Sequence, residues 1–252
     1  MEIRVETRDR YITVVTIANE PRRNAMTRAM MADLAALWDR LDGDAECRVV
    51  VLTGAGDKAF SSGADLGGDL SASPELARIV NRALLKNTPF SKPIVAAVNG
   101  DCVAGGVELL LSTDIRAVVP EARFALPEVK WSIYPFGGAT VKLMQQIGYV
   151  HAMDLLFTGR LVDARFAAGI GLVNRVVTAA EVLPDAIETA TQIAANSPSA
   201  VQAVKTQISS SIADFALSRE ALEQQLGDRV RASPHFAEGV AAFREKRRPD
   251  YA

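Results

Sequence analysis

An α/β fold followed by a helical tail is what this sequence predicts, and three observations predict it. Short β-branched runs alternate with longer amphipathic segments, the rhythm of strands separated by helices. Glycine and proline punctuate that rhythm at Pro21, Gly54, Gly56, Gly63, Pro93, Gly100 and Pro127, which places the turns. From Ser197 onward the β-rich runs vanish and the pattern is helical.

In chain order, YITVVTI reads as a strand, MMADLAALWDRL as an amphipathic helix and RVVVLTG as a second strand. SPELARIVNRALLK reads as a helix, PIVAAVNG as a strand, GGVELLLSTD as a helix opened by a glycine pair and IRAVV as a further strand. Between Gly67 and Ser73 the residues are small and polar, which predicts a mobile loop. The tail carries three helical runs, PSAVQAVKTQISSSI, SREALEQQLGDRVR and HFAEGVAAFREKR. A boundary near residue 196 therefore divides a core, 1–196, from a helical domain, 197–252. There is no internal repeat and no low-complexity tract.

Composition narrows the functional classes. With 252 residues, 49% of them apolar, the chain can bury a sizeable core. Its 28 basic and 30 acidic residues are scattered, so neither nucleic acid nor a membrane surface is an expected partner. No apolar run has the length of a bilayer-spanning helix, and MEIRVETRDR is too charged for a signal peptide. The expected location is cytoplasmic. Cys47 and Cys102 lack CxxC spacing and read as buried free thiols. With His151 and His235 the only histidines, no histidine-rich metal site is expected.

Three familiar chemistries fit poorly. VVVLTGAGDKA is a strand followed by GxGxxA, but Gly63, Gly67 and Gly68 follow too soon for the helix that a dinucleotide turn must open. It reads as a strand-ending turn. Ser61 and Ser62 stand outside any GxSxG elbow and read as turn residues. Cys102 has no nearby base and reads as a small buried residue. What remains is a pair of carboxylates. Glu108 sits near the start of an apolar helix, where a buried charge is costly unless paired or functional. Glu128 follows a strand-like run and a proline, at a strand end where loops commonly carry function. Taken alone, each is equally readable as a salt-bridge partner or a helix-end charge.

Sequence blocks supply the missing support. AFSSGADL resembles an AFxAGADL block, NGDCVAGGVELLLSTDI an NGxxxGGGxELxxxxDI block, and FALPEVKWSIYPFGGAT an FxxPExxxGxxPxxGGT block. NEPRRNAM resembles RxNAL, FTGRLVDARFAAGIGLVNRVV resembles LTGxxxxAxxAxxxGLVxxVV, and AFREKRRPDY resembles a closing helix. In this order and spacing they are the blocks of the enoyl-CoA hydratase/isomerase (crotonase) superfamily, which the chain resembles over essentially its whole length.

That resemblance implies a spiral of ββα units with a C-terminal helical domain that forms a homotrimer or a dimer of trimers. It implies an acyl-CoA thioester substrate, the setting of fatty-acid β-oxidation, with coenzyme A part of the substrate and no separate cofactor. It also places an oxyanion hole on the backbone NH groups of Ala64 and Gly105. Two such donors suit an enolate, each worth about 3 kcal/mol, and the Gly105 NH would stand at a helix start with the dipole behind it. Glu108 and Glu128 match the two glutamates of hydratase members, which implies addition of water across the double bond of a trans-2-enoyl-CoA. An enoyl-CoA isomerase and a CoA-binding protein with little turnover are the alternatives. CoA contacts would fall on Arg22, Ala25, Ala64, Asp65, Leu66 and Gly105, with Lys246 in the closing helix. The chain departs from the pattern at PFGGATVKL, where Phe136 and Ala139 replace glycines. The Phe136 ring would either narrow the pocket or pack away from it, and Trp131, Tyr134 and Phe157 would line the acyl pocket or belong to the core.

Overall fold

The computed structural model describes residues 1–65 and 73–252. The first half runs β1 (Glu2–Arg8), β2 (Tyr11–Ala18), α1 (Arg28–Gly43), β3 (Cys47–Gly54), β4 (Ala59–Ser61), α2 (Pro74–Ala83), β5 (Ile94–Val98) and β6 (Asp101–Val103). It continues through α3 (Gly105–Leu110), β7 (Ile115–Val118), β8 (Arg123–Ala125), α4 (Ala139–Ile147), α5 (Tyr149–Thr158), β9 (Val162–Asp163), α6 (Ala164–Gly169) and β10 (Arg175–Val176). Three helices close the described chain: α7 (Val182–Ala194), α8 (Pro198–Ala232) and α9 (Pro234–Glu245).

From β3 to β8, successive strands alternate between two sheets. The large sheet has the order β1-β2-β3-β5-β7-β10 and the small one β4-β6-β8-β9. Each of the pairs β3/β4, β5/β6 and β7/β8 thus gives one strand to each sheet before the chain advances, which is the expected spiral of ββα units. From β2 to β10 the large sheet is parallel. Its central strand β5 is buried at every residue, so a near-continuous apolar run is what a strand covered on both faces requires.

Helix α1 buries Met30, Met31, Leu34, Leu37, Trp38 and Leu41, a stripe at helical spacing. Its start is fixed by Thr27, whose hydroxyl accepts from the Met30 NH at 3.2 Å. Trp38 locks it to the next layer: the indole NH donates to the Ala83 carbonyl at 2.9 Å, and the ring lies 5.3 Å from that of Phe90.

Four stretches bear on the sequence reading. The charged N-terminus is a strand, β1, paired antiparallel with β2 along seven residue pairs; nearly every β1 residue is exposed, as suits a charged sheet edge. The GxGxxA stretch leads from Gly54 into β4 at Ala59 without a helix, as a strand-ending turn should. The loop expected from Gly67 to Ser73 lies outside the described residues except Ser73, which caps α2 by accepting from the Leu76 NH at 3.1 Å. The first two helical runs of the tail form one 35-residue helix, α8. Residue 196 lies between α7 and α8. Within the described residues no helix is long and apolar enough to cross a membrane.

Candidate active site

Two backbone NH groups meet where β4 ends and α3 begins. Residues 26 and 64 form a parallel bridge, in which the Met26 NH donates to the Gly63 carbonyl at 2.7 Å and the Asp65 NH to the Met26 carbonyl at 2.9 Å. The bridge engages the residues flanking Ala64 and not Ala64's own NH. Gly105 opens α3, so its NH has no acceptor four residues back. The two donors are neighbours: a Cβ built on Gly105 would stand 3.5 Å from the Ala64 nitrogen, and one built on Gly63 would stand 2.7 Å from the Gly105 nitrogen. Gly63 also has a φ of 87°, open to glycine at little cost. Ala104 is the strained member, with φ 54° and ψ −128°; its NH is tied to the Ala125 carbonyl at 2.9 Å. Strain of this kind persists where surroundings over-determine it, commonly at functional sites. Because α3 spans six residues, its dipole is modest, and the weight of any anion stabilisation falls on the NH groups themselves.

One helical turn inward, Glu108 is buried. Its Oε1 accepts from the Ala139 NH at 3.2 Å, and the Gly137 NH also favours its charged form. The carboxylate lies flat against Gly137, where a Cβ would come within 2.2 Å of Oε2. Burial outweighs these donors and raises the carboxyl to about 7. Glu128 opens a four-residue 3-10 turn, Glu128–Trp131, and is also buried. Its Oε2 has no hydrogen-bond partner among the described residues. Burial first, and the Glu108 charge second, push it up to about 8. The two carboxyls therefore titrate as a pair, in which ionising one opposes ionising the other. At neutral pH such a pair can hold one carboxylate and one carboxylic acid, and the backbone donors favour the charge on Glu108.

Comparison with known proteins bears on this arrangement. The family description "Enoyl-CoA hydratase/isomerase" matches residues 7–252. The chain belongs to that family. Enoyl-CoA hydratase EchA19 of Mycobacterium tuberculosis is 39% identical over 248 residues, 96% of this chain and 93% of that protein. A short-chain-enoyl-CoA hydratase of Clostridium acetobutylicum is 34% identical, covering 94% of this chain and 92% of that one. Among solved structures, carnitinyl-CoA hydratase from Mycobacterium avium superposes with a TM-score of 0.90 at 31% identity, over 99% of this chain and 97% of the other.

The remaining residues marked by the family's blocks fall at different distances from the chemistry. Arg22 is largely exposed, its guanidinium donating to both Asp65 oxygens at 2.9 and 3.3 Å. Ala25 is buried beside it. Leu66 lies outside the described residues. Lys246 is exposed, one residue beyond α9, and among the described residues it makes no hydrogen bond or ion pair with the rest of the site. Phe136 packs away: a Cβ on Gly227 of α8 would overlap its ring at 1.9 Å, Tyr134 lies 4.9 Å from it and Arg231 stacks above at 4.7 Å. Trp131 meets Phe243 edge-on at 5.3 Å. Phe157 is 74% exposed, so it belongs to neither a pocket nor the core. Cys102 is fully buried, and burial drives its thiol far above the usual range, which fits the inert reading. A separate cavity of about 540 Å³ opens beneath the first half of α8, among Phe90, Leu111, Val201 and Ile208; neither glutamate lines it.

Several residues that brace this region escaped the sequence. Asn24, buried at φ 55°, donates to the Ala55 and Ala59 carbonyls at 2.9 and 2.6 Å. An asparagine just after a Pro-Arg-Arg turn was the available signal, since asparagine tolerates the left-handed region. Ser61 was read as a turn residue; its buried hydroxyl instead donates to the Asn24 carbonyl at 2.9 Å and accepts from the Gly63 NH at 3.1 Å. Lys86, Thr140 and Glu223, which gather next to Glu108's loop, gave no signal at all.

Proposed function

We propose that this chain is a trans-2-enoyl-CoA hydratase. The observation that carries the reading is the buried pair Glu108 and Glu128, one held by backbone donors and one with an oxygen unpartnered among the described residues, near the neighbouring backbone nitrogens of Ala64 and Gly105. The names of relatives over 90% of the chain support the substrate class.

In the proposed reaction the thioester oxygen is held by the NH groups of Ala64 and Gly105. Glu108 takes a proton from water as its oxygen bonds to C3, the 2,3 double bond shifts electrons to the thioester oxygen, and Glu128 gives its proton to C2 as the enolate collapses. Each proton transfer contributes roughly 10²- to 10⁴-fold, and each oxyanion donor about 3 kcal/mol. Coenzyme A enters as part of the substrate, and no further cofactor is called for. The protein is proposed to act in the cytoplasm as a homotrimer or dimer of trimers assembled through the tail; α8 leaves Val204, Ile208, Leu217 and Leu222 exposed, and light scattering measures the mass.

The deciding experiment offers the purified protein trans-2-enoyl-CoA and 3-enoyl-CoA thioesters of several chain lengths in ¹⁸O-labelled water. The expected product is the labelled 3-hydroxyacyl-CoA. Conversion of the 3-enoyl to the 2-enoyl thioester with no water adduct would make the chain an isomerase. Binding without any product would leave only a CoA-binding role.

A further inference from the structure

We propose that Glu223, on helix α8, is a positioning residue for Glu108: with Lys86 and Thr140 it anchors the loop that grips the Glu108 carboxylate and takes up positive charge that would otherwise act on it. This rests on the reading of Glu108 as the base.

Glu223 is one of four buried residues on a 35-residue helix, and its companions are Ala213, Ala216 and Gly227. A lone carboxylate among small residues is not a solvated helix face. One of its oxygens accepts from the Lys86 amine, which is equally buried at 4% exposure. The other accepts from the Thr140 hydroxyl at 3.0 Å, and the Tyr134 hydroxyl reaches Thr140 at 3.5 Å. Thr140 is the residue after Ala139, whose NH holds Glu108. The Lys86 stem runs along the same loop, 3.3 Å from where a Cβ on Gly138 would sit. A carboxylate from the tail therefore ties down both sides of the segment 137–140.

The charges are arranged to oppose one another. The ionisable groups that act on Glu108 or stand against its loop are Glu128, Lys86 beyond α2, Lys142 on α4, and Glu223 and Tyr134 against α4. Lys86 favours ionised Glu108, and Glu223 disfavours it. Lys142 donates to the Leu85 carbonyl at 2.5 Å and the Ser112 hydroxyl at 2.8 Å, and the Glu108 charge also acts on it. In a dry interior, unpaired charges act strongly over several ångströms. Lys86 neutralised by Glu223 is a much weaker influence than Lys86 alone, so α8 sets how readily the base ionises.

The test follows the Glu108 carboxyl by ¹³C NMR in protein labelled at glutamate Cδ, with Glu108→Gln marking the resonance. Glu223→Gln is expected to move its titration to lower pH, and Lys86→Met to higher pH. The double variant Lys86→Met with Glu223→Gln leaves no buried charge unpartnered and is expected to titrate above the wild type, because the Lys86 influence is the larger of the two. Thr140→Val is expected to lower kcat by up to roughly 10²-fold through misplacement of the carboxylate with little change in titration, and Lys86→Arg to keep most of the wild-type behaviour. In turnover assays the acid limb of kcat is expected to follow the NMR midpoints. A Glu108 midpoint unchanged in folded Glu223→Gln and folded double variant would overturn the proposal, as would shifts of both single variants in the same direction. Loss of hydratase activity in the wild type would sink the functional reading alone, since the NMR titration needs no turnover.

Discussion

The two ends of the site are built from different materials. At one end, Ala64 and Gly105 offer main-chain NH groups placed by a bridge and a helix start, and their identity as donors does not depend on pH. At the other, Glu108 and Glu128 are side chains buried at the edge of what ionisation tolerates. The first end fails only when backbone moves. The second responds to every neighbouring charge. On the proposed reading, a substrate bridging the two meets a fixed electrostatic socket for its thioester oxygen and an adjustable pair of proton carriers along its acyl chain.

Breaking each end should give distinguishable losses. The largest is expected from Glu128→Gln, which keeps shape and burial but cannot transfer the proton: kcat for hydration should fall roughly 10²- to 10⁴-fold with little change in KM. A kcat within threefold of the parent would remove Glu128 from the mechanism. Next is Gly63→Ala, which places a methyl 2.7 Å from the Gly105 nitrogen at a φ of 87°. Loss of one oxyanion donor costs roughly 10²- to 10³-fold in kcat. The pH dependence of that residual activity should match the wild type, because the carboxyl pair is untouched.

The pair should also be visible in stability. Glutamate ordinarily titrates near 4.5, and the folded chain raises Glu108 to about 7 and Glu128 to about 8. The folded state therefore binds more protons than the unfolded one across that interval, so the stability these groups contribute is present below pH 4.5 and is lost as pH rises toward 8. Lys142, lowered to about 7 by burial, acts in the opposite sense only above pH 7. Thermal melts from pH 5 to pH 7 should thus show a decline in the wild type that flattens in the Glu108→Gln, Glu128→Gln double variant. The smallest effect is expected for Ser61→Ala, which breaks the links to Asn24 and Gly63. It should cost about 1–3 kcal/mol of unfolding free energy, read by urea titration, and lower kcat less than the Gly63 change does.

What the sequence disclosed follows the same division. Strands β2, β3 and β5 were legible because β-branched and other apolar residues dominate each run and leave few alternatives. Strands β4, β6 and β8 were not, because three residues cannot display a period. Edge strand β1 hid behind its charges. Within the site, Ala64, Gly105, Glu108 and Glu128 were reached by motif resemblance, since backbone donors leave no mark on composition. Glu223 was invisible for the opposite reason: acidic residues are common along α8, and only the packed tail reveals which of them is buried.

Phe136 and Gly227 carry a consequence for variation. The ring fills space that any Cβ at 227 would need, so bulk at these two places is a shared quantity. Enlarging residue 227 alone should dislodge the loop beside Glu108, and shrinking residue 136 alone should leave a void under α8. Exchanging the two, glycine at 136 with phenylalanine at 227, conserves volume. Along a lineage these positions are expected to drift as a linked couple, one swelling only as the other thins.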